Sequence, residues 1–136
     1  MRLELTKRAD YAIRATLALS RAADGERVSV RRIAADEGVP ARFLPQVMGD
    51  LVRAGLVEGV VGRSGGYRLA KPSEEISLLE VVEAVEGDSR RRVCILRGGP
   101  CALDGVCDVH AVFAAAQDDV LGRLRTATIA AASRPQ

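Results

Sequence analysis

The sequence is poor in aromatic side chains, in histidine and in long apolar segments. Tryptophan is absent, phenylalanine and tyrosine occur twice each, and the 136 residues include one histidine. A core must therefore be built from alanine, valine, leucine and isoleucine, which a content of 48% apolar residues allows. No apolar run approaches the roughly 18 residues of a membrane span, and the first residues lack the apolar stretch of a secretion signal. We expect one domain, or one small domain with an appendage, in the cytoplasm.

Positive charge is concentrated in the first half of the chain. Residues 1–72 contain 13 lysines and arginines against 8 acidic residues, whereas residues 73–136 contain 7 against 10. An excess of basic side chains is typical of a surface that binds nucleic acid, because phosphates are neutralised by cations. The first half is therefore the candidate for DNA binding, and the alternative is an ordinary solvated surface.

Capping and stop residues divide the first part of the chain into three helices. Thr6 can cap a helix that runs to about residue 21. Ser29 can cap a second helix, which Gly38 ends, and a third helix runs from about Ala41 to Gly55 with apolar residues at helical spacing. Two helices joined by a short turn around Gly38 predict a helix-turn-helix.

The segment after the third helix predicts a β-hairpin. Residues 56–61 and 67–70 have strand character, and residues 62–66 form a glycine-rich turn. A hairpin directly after a candidate recognition helix is the wing of a winged helix-turn-helix. Arg63 and Ser64 lie between glycines at its tip, where the backbone can approach a phosphate and an arginine can enter a narrow minor groove. The alternative is an exposed turn with an incidental arginine.

The second half predicts two helices separated by a loop. Ser77 and Glu80 form a capping box ahead of the first of them. Glycines and a proline exclude regular structure from the loop 90–107, and one long helix follows over about 107–131. Its apolar residues recur in steps of three and four, at Val109, Val112, Phe113, Ala116, Val120, Leu124 and Thr128. Such a stripe favours packing against a second copy of the chain in a symmetric dimer.

All three cysteines and the only histidine lie within 17 residues, at Cys94, Cys101, Cys107 and His110. An odd number of clustered cysteines in a reducing compartment indicates metal binding or redox chemistry rather than a disulfide framework. The gaps of six and five residues are wider than those of a zinc knuckle and suit a loop that wraps an iron–sulfur cluster. A zinc site with three cysteines and a histidine, a cluster-free thiol switch and inert buried thiols are the alternatives.

The order of these elements resembles the Rrf2 family of bacterial transcription regulators. The matching segments are MRL…TKRADYAIRATLAL, GRSGGYRLAKP and ISLLEVVEAVEG, and the likeness covers essentially residues 1–131. The spacing of Cys107 and His110 links the chain to the branch that binds iron–sulfur clusters, which includes IscR-like and NsrR-like regulators. The resemblance implies a mainly α fold: a winged helix-turn-helix with a small β-hairpin wing in 1–72, followed in 73–136 by a connecting helix, a cysteine sensor loop and a long C-terminal dimerisation helix.

The resemblance also implies a homodimer on a palindromic operator of double-stranded DNA, with the recognition helix in the major groove and the wing at the minor groove. The candidate DNA contacts lie on the two helices and the wing tip: Arg31, Arg32, Arg42, Phe43, Gln46, Arg63 and Ser64. Arg42 suits a guanine or a phosphate and Gln46 an adenine edge, whereas Phe43 fits the core equally well. Pro40 and Pro45 depart from the usual family residues, so the operator does not carry over from a relative.

For the cysteine loop, the resemblance implies Cys94, Cys101 and Cys107 as ligands of a 2Fe–2S or 4Fe–4S cluster. Two residues are candidates for the fourth ligand. His110 follows Cys107 by one helical turn, as in IscR-like members, and Asp10 stands where NsrR-like members place an aspartate that reaches the partner subunit's cluster. A surface histidine and a first-turn carboxylate favoured by the helix dipole are the alternatives. The first gap is one residue longer than in IscR-like members, so the cluster type does not carry over.

These features together predict a dimeric, DNA-binding transcription regulator that senses redox state, iron or nitric oxide through an iron–sulfur cluster and has no small-molecule substrate. The alternative is a DNA-binding regulator with a structural zinc site or a cluster-free thiol switch. An enzyme is not expected, because the chain has no Cys-x-x-Cys pair, no nucleotide-binding loop and no second acid–base constellation.

Overall fold

The computed structural model describes residues 4–60, 62, 65–87 and 107–133. In these residues, one β-hairpin stands between three α-helices that precede it and three that follow it. Single turns of 3-10 helix occur at Ala41–Phe43 and Ser73–Glu75. The elements are α1 (Lys7–Arg21), α2 (Val30–Glu37), α3 (Leu44–Arg53), β1 (Val57–Val60), β2 (Gly66–Leu69), α4 (Leu78–Glu86), α5 (His110–Thr126) and α6 (Ile129–Ala132). No helix in the described part of the chain is long and apolar enough to cross a membrane.

The first two helices begin and end at the residues that the sequence indicates. The Thr6 hydroxyl accepts the N–H of Ala9 at 3.1 Å, and the Ser29 hydroxyl accepts the N–H of Arg32 at 3.1 Å. Gly38 ends α2 in the left-handed conformation, with φ 65°. Each of these contacts satisfies backbone groups that a helix end leaves without a partner. The predicted helix-turn-helix is confirmed.

Helix α3 begins with a turn that the sequence does not indicate. The chain forms a 3-10 turn over Ala41–Phe43, and the α-helix starts at Leu44. Pro45 has no N–H, so it cannot form the α-helical hydrogen bond to the carbonyl of Ala41. That carbonyl accepts the N–H of Leu44 instead, which is the hydrogen bond of a 3-10 turn.

The wing is an antiparallel pair in which Val57 lies opposite Leu69 and Val60 opposite Gly66. The hairpin is confirmed: β1 starts one residue later than predicted, and β2 has the predicted length but is displaced by one residue toward the turn. Backbone hydrogen bonds of 2.8 and 2.9 Å also join Val28 to Tyr67, so the wing is attached to the residues that precede α2. The predicted wing-tip residues, 63 and 64, lie outside the described residues.

The core is aliphatic, as the composition requires. None of the four aromatic side chains is fully buried, and α1 packs against α2, α3 and α4. The largest fully buried side chains in the described part are Ile33, Leu44, Val47, Met48, Leu51, Ile76, Val81, Ile129 and Thr16. Helix α4 starts with the predicted capping box, in which Ser77 and Glu80 each accept the other's backbone N–H.

The prediction of one continuous helix over 107–131 is wrong. Helix α5 starts at His110 and ends at Thr126, and the chain is extended at Ala127 before the Thr128 hydroxyl caps the short helix α6. The N–H of Ile129 donates to the carbonyl of Ile76 at 2.8 Å, and the Ile129 side chain is fully buried. Burial of this side chain in the core competes with continuation of the helix, and a threonine that can cap a helix stands at the break.

Candidate functional site

The two arginines at the start of α2 differ in their surroundings. Arg32 donates to Glu26 at 2.5 Å and contacts Asp36 at 3.5 Å. The Arg32 guanidinium lowers the pKa of Glu26 below its ordinary value, with a smaller contribution from the N–H of Ala23. Arg31 is exposed and has no ion pair with another described residue. Arg31 is therefore the freer of the two cations for an external anion.

Arg42 and Phe43 stand at the end of the 3-10 turn and form part of a stack. The rings of Phe43 and Tyr11 are nearly parallel, at an angle of 19° with centroids 5.9 Å apart. The guanidinium carbon Cζ of Arg42 lies 4.8 Å from the centroid of the Phe43 ring. Phe43 retains 40% of its exposure, so it is not a core residue. From the sequence alone, Phe43 could have been either a core residue or an exposed candidate for DNA contact.

Helix α3 has one buried face and one exposed face. Leu44, Val47, Met48 and Leu51 are buried, whereas Gln46 is exposed in the first turns of the helix. An exposed amide near the start of a helix that follows a helix-turn-helix turn can approach the edge of a base. Gln46 thus has the position that the sequence predicts for it.

Asp50 on α3 contacts two arginines, of which Arg8 joins α1 to α3. Its carboxylate accepts hydrogen bonds from Arg8 on α1 and from Arg53 on α3, and only 11% of its side chain is exposed. The two arginines keep 46% and 71% of their side-chain exposure. One carboxylate therefore orients two cations that face solvent.

A groove of about 540 Å³ lies between the wing and the two helices of the helix-turn-helix. Val30, Val52, Arg53, Val60 and Tyr67 are among the residues that line it. The wing and the C-terminal half of α3 therefore border the same side of the molecule. This is the arrangement that a winged helix-turn-helix needs to contact neighbouring grooves of one duplex.

Two of the four residues that the sequence predicts as ligands, Cys107 and His110, lie in the described part of the chain. Cys107 is half-buried and forms no disulfide, and the N–H of His110 donates to its carbonyl at 3.0 Å. Thiolate and imidazole are ligands that zinc and iron–sulfur clusters accept, so these donors fit either group. Cys94 and Cys101 lie outside the described residues. Among the residues that the structure describes, no three metal-ligating side chains form a group that could hold an ion.

Asp10, the other candidate for the fourth ligand, lies in the first turn of α1. Its carboxylate accepts a hydrogen bond from Nε of Arg14 at 3.0 Å, and 41% of its side chain is exposed. An exposed ion pair of this kind contributes little to stability and is easily exchanged. Asp10 is therefore accessible to a second chain.

Helix α5 carries an apolar surface that the single chain leaves exposed. Val112 keeps 70% of its exposure, and Val109 and Val120 are also exposed. Phe113 and Leu124 are half-buried, and α5 packs against α4. The predicted stripe is thus present on α5 up to Leu124, whereas Thr128 lies beyond the end of the helix.

Residues 5–134 match the sequence profile of Rrf2, described as an iron-dependent transcriptional regulator. This match spans nearly the whole chain. The protein belongs to the Rrf2 family. Members of the family are transcriptional regulators and not enzymes, so this Rrf2 protein is a DNA-binding regulator, as its sequence predicts.

Two curated relatives show how widely the Rrf2 similarity extends. Protein aau3 of Rhizobium meliloti is 39% identical over 113 residues, which cover 82% of this chain and 72% of that protein. The regulator NsrR of Shouchella clausii is 33% identical over 112 residues, which cover 82% and 75% of the two chains.

Solved structures of Rrf2-type regulators share the fold. CymR, the global cysteine regulator of B. subtilis, has a TM-score of 0.80 at 20% identity, with 97% of each chain covered. IscR of T. potens has a TM-score of 0.73 at 23% identity, with 95% of this chain and 85% of that chain covered. At such identities the comparison shows the fold alone, and it confirms the predicted winged helix.

The sequence did not single out four residues of this Rrf2 surface. Tyr11 supports Phe43, and Asp50 holds Arg8 and Arg53. The spacing of three residues between Asp50 and Arg53 is a detectable helical pair. The contacts of Tyr11 and Arg8 join segments far apart in sequence, and no local pattern indicates them.

Proposed function

We propose that this Rrf2-family regulator binds a palindromic operator as a homodimer and senses redox state, iron or nitric oxide through an iron–sulfur cluster. The proposed DNA contacts are those predicted from the sequence: Arg31, Arg32, Arg42, Phe43, Gln46, Arg63 and Ser64. The exposure of Arg31, Arg42 and Gln46 supports this assignment, as does the groove between α3 and the wing.

The observation that carries the sensing proposal is the pair Cys107 and His110 at the start of α5. The thiol is free and half-buried, and the imidazole follows one turn later. The proposed cluster ligands are Cys94, Cys101 and Cys107, with His110 of the same chain or Asp10 of the partner subunit as the fourth. The description of the family as iron-dependent and the similarity to NsrR support this ligand set.

When bound, such a cluster supplies iron sites that oxidation, loss of iron or an external ligand can alter. The chain's own contacts connect the end of α4, which precedes the cysteine loop in the sequence, to the DNA-binding surface. Glu86, at the end of α4, accepts the Thr6 N–H at 3.1 Å and the Thr6 hydroxyl at 2.8 Å. Arg8, two residues further along the chain, donates to Asp50 on α3. A change at the loop can therefore reach the recognition helix through the start of α1.

A second copy of the chain is the proposed partner of the exposed stripe on α5. Val109, Val112 and Val120 lose contact with water if two α5 helices pack together, and burial of apolar surface favours association. A symmetric dimer presents two recognition helices at a fixed distance. A small rotation between them then changes the match to two operator half-sites.

The first experiment is anaerobic purification followed by absorption spectroscopy and assay of iron and sulfide. We expect a brown protein with charge-transfer bands that the Cys107→Ala variant loses. The fourth ligand is identified by the spectra of His110→Ala and Asp10→Ala, with the exposed Asp119→Ala variant as the matched control. A colourless protein that contains stoichiometric zinc would refute the cluster and support the structural zinc site.

The second experiment measures DNA binding. Duplexes are selected from a random library with the anaerobic protein, and affinity is then measured with and without nitric oxide or an oxidant. We expect the wild-type affinity to change and the affinity of a triple Cys94, Cys101 and Cys107 to alanine variant to remain constant. Equal responses of both proteins would refute sensing through the cysteines.

A cluster-free thiol switch is the second candidate. Two observations favour it: Cys107 has a free thiol that solvent reaches, and a solved CymR from Staphylococcus aureus with the same fold was determined in an oxidised form. In this case iron-free protein changes its affinity for the selected duplex on oxidation, and a thiol reductant restores it. Iron-dependent affinity that thiol oxidation does not reproduce would exclude this candidate.

A further inference from the structure

We propose that Phe43 is a positioning residue, which with Tyr11 forms a platform that orients the guanidinium of Arg42 toward DNA. Phe43 then acts through Arg42, and its own contact with DNA is not the source of its effect. The inference rests on the proposed function in one respect, which is that Arg42 contacts the operator. It assigns a role to Tyr11, which lies on α1, outside the helix-turn-helix.

The ring of Tyr11, the ring of Phe43 and the guanidinium of Arg42 contact one another in that order. Tyr11 is half-buried against the core, its ring supports Phe43 at 5.9 Å, and the Arg42 guanidinium carbon lies 4.8 Å above the Phe43 ring. A cation within about 6 Å of a ring centroid is attracted by the negative face of the ring. The guanidinium therefore contacts an aromatic ring that itself stacks on a second aromatic ring.

The backbone at Phe43 is fixed independently of its ring. The Phe43 N–H donates to the carbonyl of Pro40 at 3.1 Å, and the next residue, Leu44, is fully buried. Pro45 has a fixed φ in the first turn of α3. Because the Phe43 N–H and the two following residues are held in this way, the ring projects from a defined point, and its removal should affect Arg42 more than the turn.

Charge distinguishes Arg42 from the arginines near it. Arg32 is paired with two carboxylates, and Arg8 and Arg53 share the carboxylate of Asp50. Arg42 has no ion pair with another described residue, and its neighbour is a neutral ring. A guanidinium on a ring face keeps its edge N–H groups and its full charge available for a phosphate or a guanine. The platform thus restricts the side chain without neutralising it.

The expected effect of the platform is a lower cost of ordering Arg42 on binding. Fixing a long side chain in advance removes an entropy cost that corresponds to about two- to tenfold in affinity. Loss of the platform should therefore weaken DNA binding by that factor, and only while Arg42 is present. A residue that contacts DNA itself would weaken binding whether or not Arg42 is present.

The test is a double-mutant cycle on the anaerobically purified protein and a duplex that the wild type selects from a random library. The variants are Phe43→Leu, Arg42→Ala and their combination, with Phe43→Tyr as the conservative control, and affinity is measured by fluorescence anisotropy. We expect about a two- to tenfold loss for Phe43→Leu. We expect a loss below twofold for Phe43→Tyr, which keeps the ring, and no further loss when Phe43→Leu is added to Arg42→Ala.

An equal loss from Phe43→Leu in the wild-type and Arg42→Ala backgrounds would overturn the proposal, as would no loss in the wild type. Tyr11→Leu, compared with Tyr11→Phe, repeats the cycle at the second ring of the stack if Phe43→Leu does not fold. The outcomes separate this inference from the proposed function. A wild type that selects no duplex refutes operator binding, whereas a wild type that binds and an Arg42→Ala variant with unchanged affinity refute only the role of Arg42 and its platform.

Discussion

Replacement of Ile129 by alanine tests the break between α5 and α6. The side chain is fully buried, and its backbone N–H donates to Ile76. The substitution removes three carbon groups from the core, which corresponds to about 2.4 kcal/mol of transfer free energy at roughly 0.8 kcal/mol each. The cavity that remains adds to this, so we expect a loss of about 3–4 kcal/mol in the free energy of unfolding.

The expected loss in unfolding free energy corresponds to a fall in melting temperature. At about 2.1 cal/mol/K per residue, a chain of 136 residues has an unfolding entropy of about 0.29 kcal/mol/K. The melting temperature should therefore fall by about 10–14 °C. Scanning calorimetry and far-ultraviolet circular dichroism measure the shift. Wild type and variant are compared at one protein concentration, because a dimer melts at a concentration-dependent temperature.

The control for Ile129→Ala is Val52→Ala, a truncation of an exposed aliphatic side chain on α3. We expect it to change the free energy of unfolding by less than about 0.5 kcal/mol. A single helix through residue 131 would carry Ile129 away from Ile76 and out of the core. A fall in melting temperature below about 3 °C for Ile129→Ala would refute the position of α6.

Four further substitutions test other parts of the structure. Asp50→Asn removes the charge that joins α1 to α3; because both arginine partners are largely exposed, we expect a loss of about 1 kcal/mol in urea denaturation, and a gain would contradict the contact. Gly66→Ala places a Cβ 2.7 Å from the Val28 carbonyl at φ 145°, so we expect a loss of about 2 kcal/mol. Gly122→Ala, inside α5 and in open space, should instead gain about 0.5–1 kcal/mol, and equal effects at both glycines would contradict this account. Partial burial raises the pKa of Glu80, but hydrogen bonds from the N–H group at the start of α4 and from a neighbouring lysine lower it more, to below its ordinary 4.5. A lowered pKa stabilises the folded state above the unfolded-state pKa, and this contribution is lost as pH falls through the folded-state pKa. The difference in unfolding free energy between wild type and Glu80→Gln should therefore shrink below pH 4.5, and a constant difference would contradict the assignment.

The parts of the fold that could be predicted from sequence are those determined over three or four residues. Thr6, Ser29 and the pair Ser77 and Glu80 cap helices because a hydroxyl or carboxylate reaches an N–H group three residues away. Gly38 ends α2 for an equally local reason, since a left-handed residue is needed there. The order of the helices and the wing follows from such signals.

The features that the sequence did not reveal depend on segments that meet only in the folded chain. Tyr11 on α1 stacks on Phe43 in the turn before α3, and Arg8 reaches Asp50, 42 residues away. The end of α5 depends on burial of Ile129 beside Ile76, which the apolar periodicity of the helix could not indicate. In each case the partner is distant in sequence, so the local pattern was compatible with more than one arrangement.

An isolated antiparallel β-bridge between Ser77 and Thr128 joins the residue before α4 to the residue before α6. Backbone hydrogen bonds of 2.9 Å from Leu78 to Ala127 and of 2.8 Å from Ile129 to Ile76 flank this bridge. The chain between the two sides of the bridge includes α4, which packs against α1 and α3, and α5, so the bridge closes a long loop of the chain at its base. The entropic cost of closing such a loop grows only with the logarithm of its length, by about 0.6 kcal/mol per doubling. Insertions between α4 and α5 should therefore destabilise the fold only slightly as long as the bridge forms.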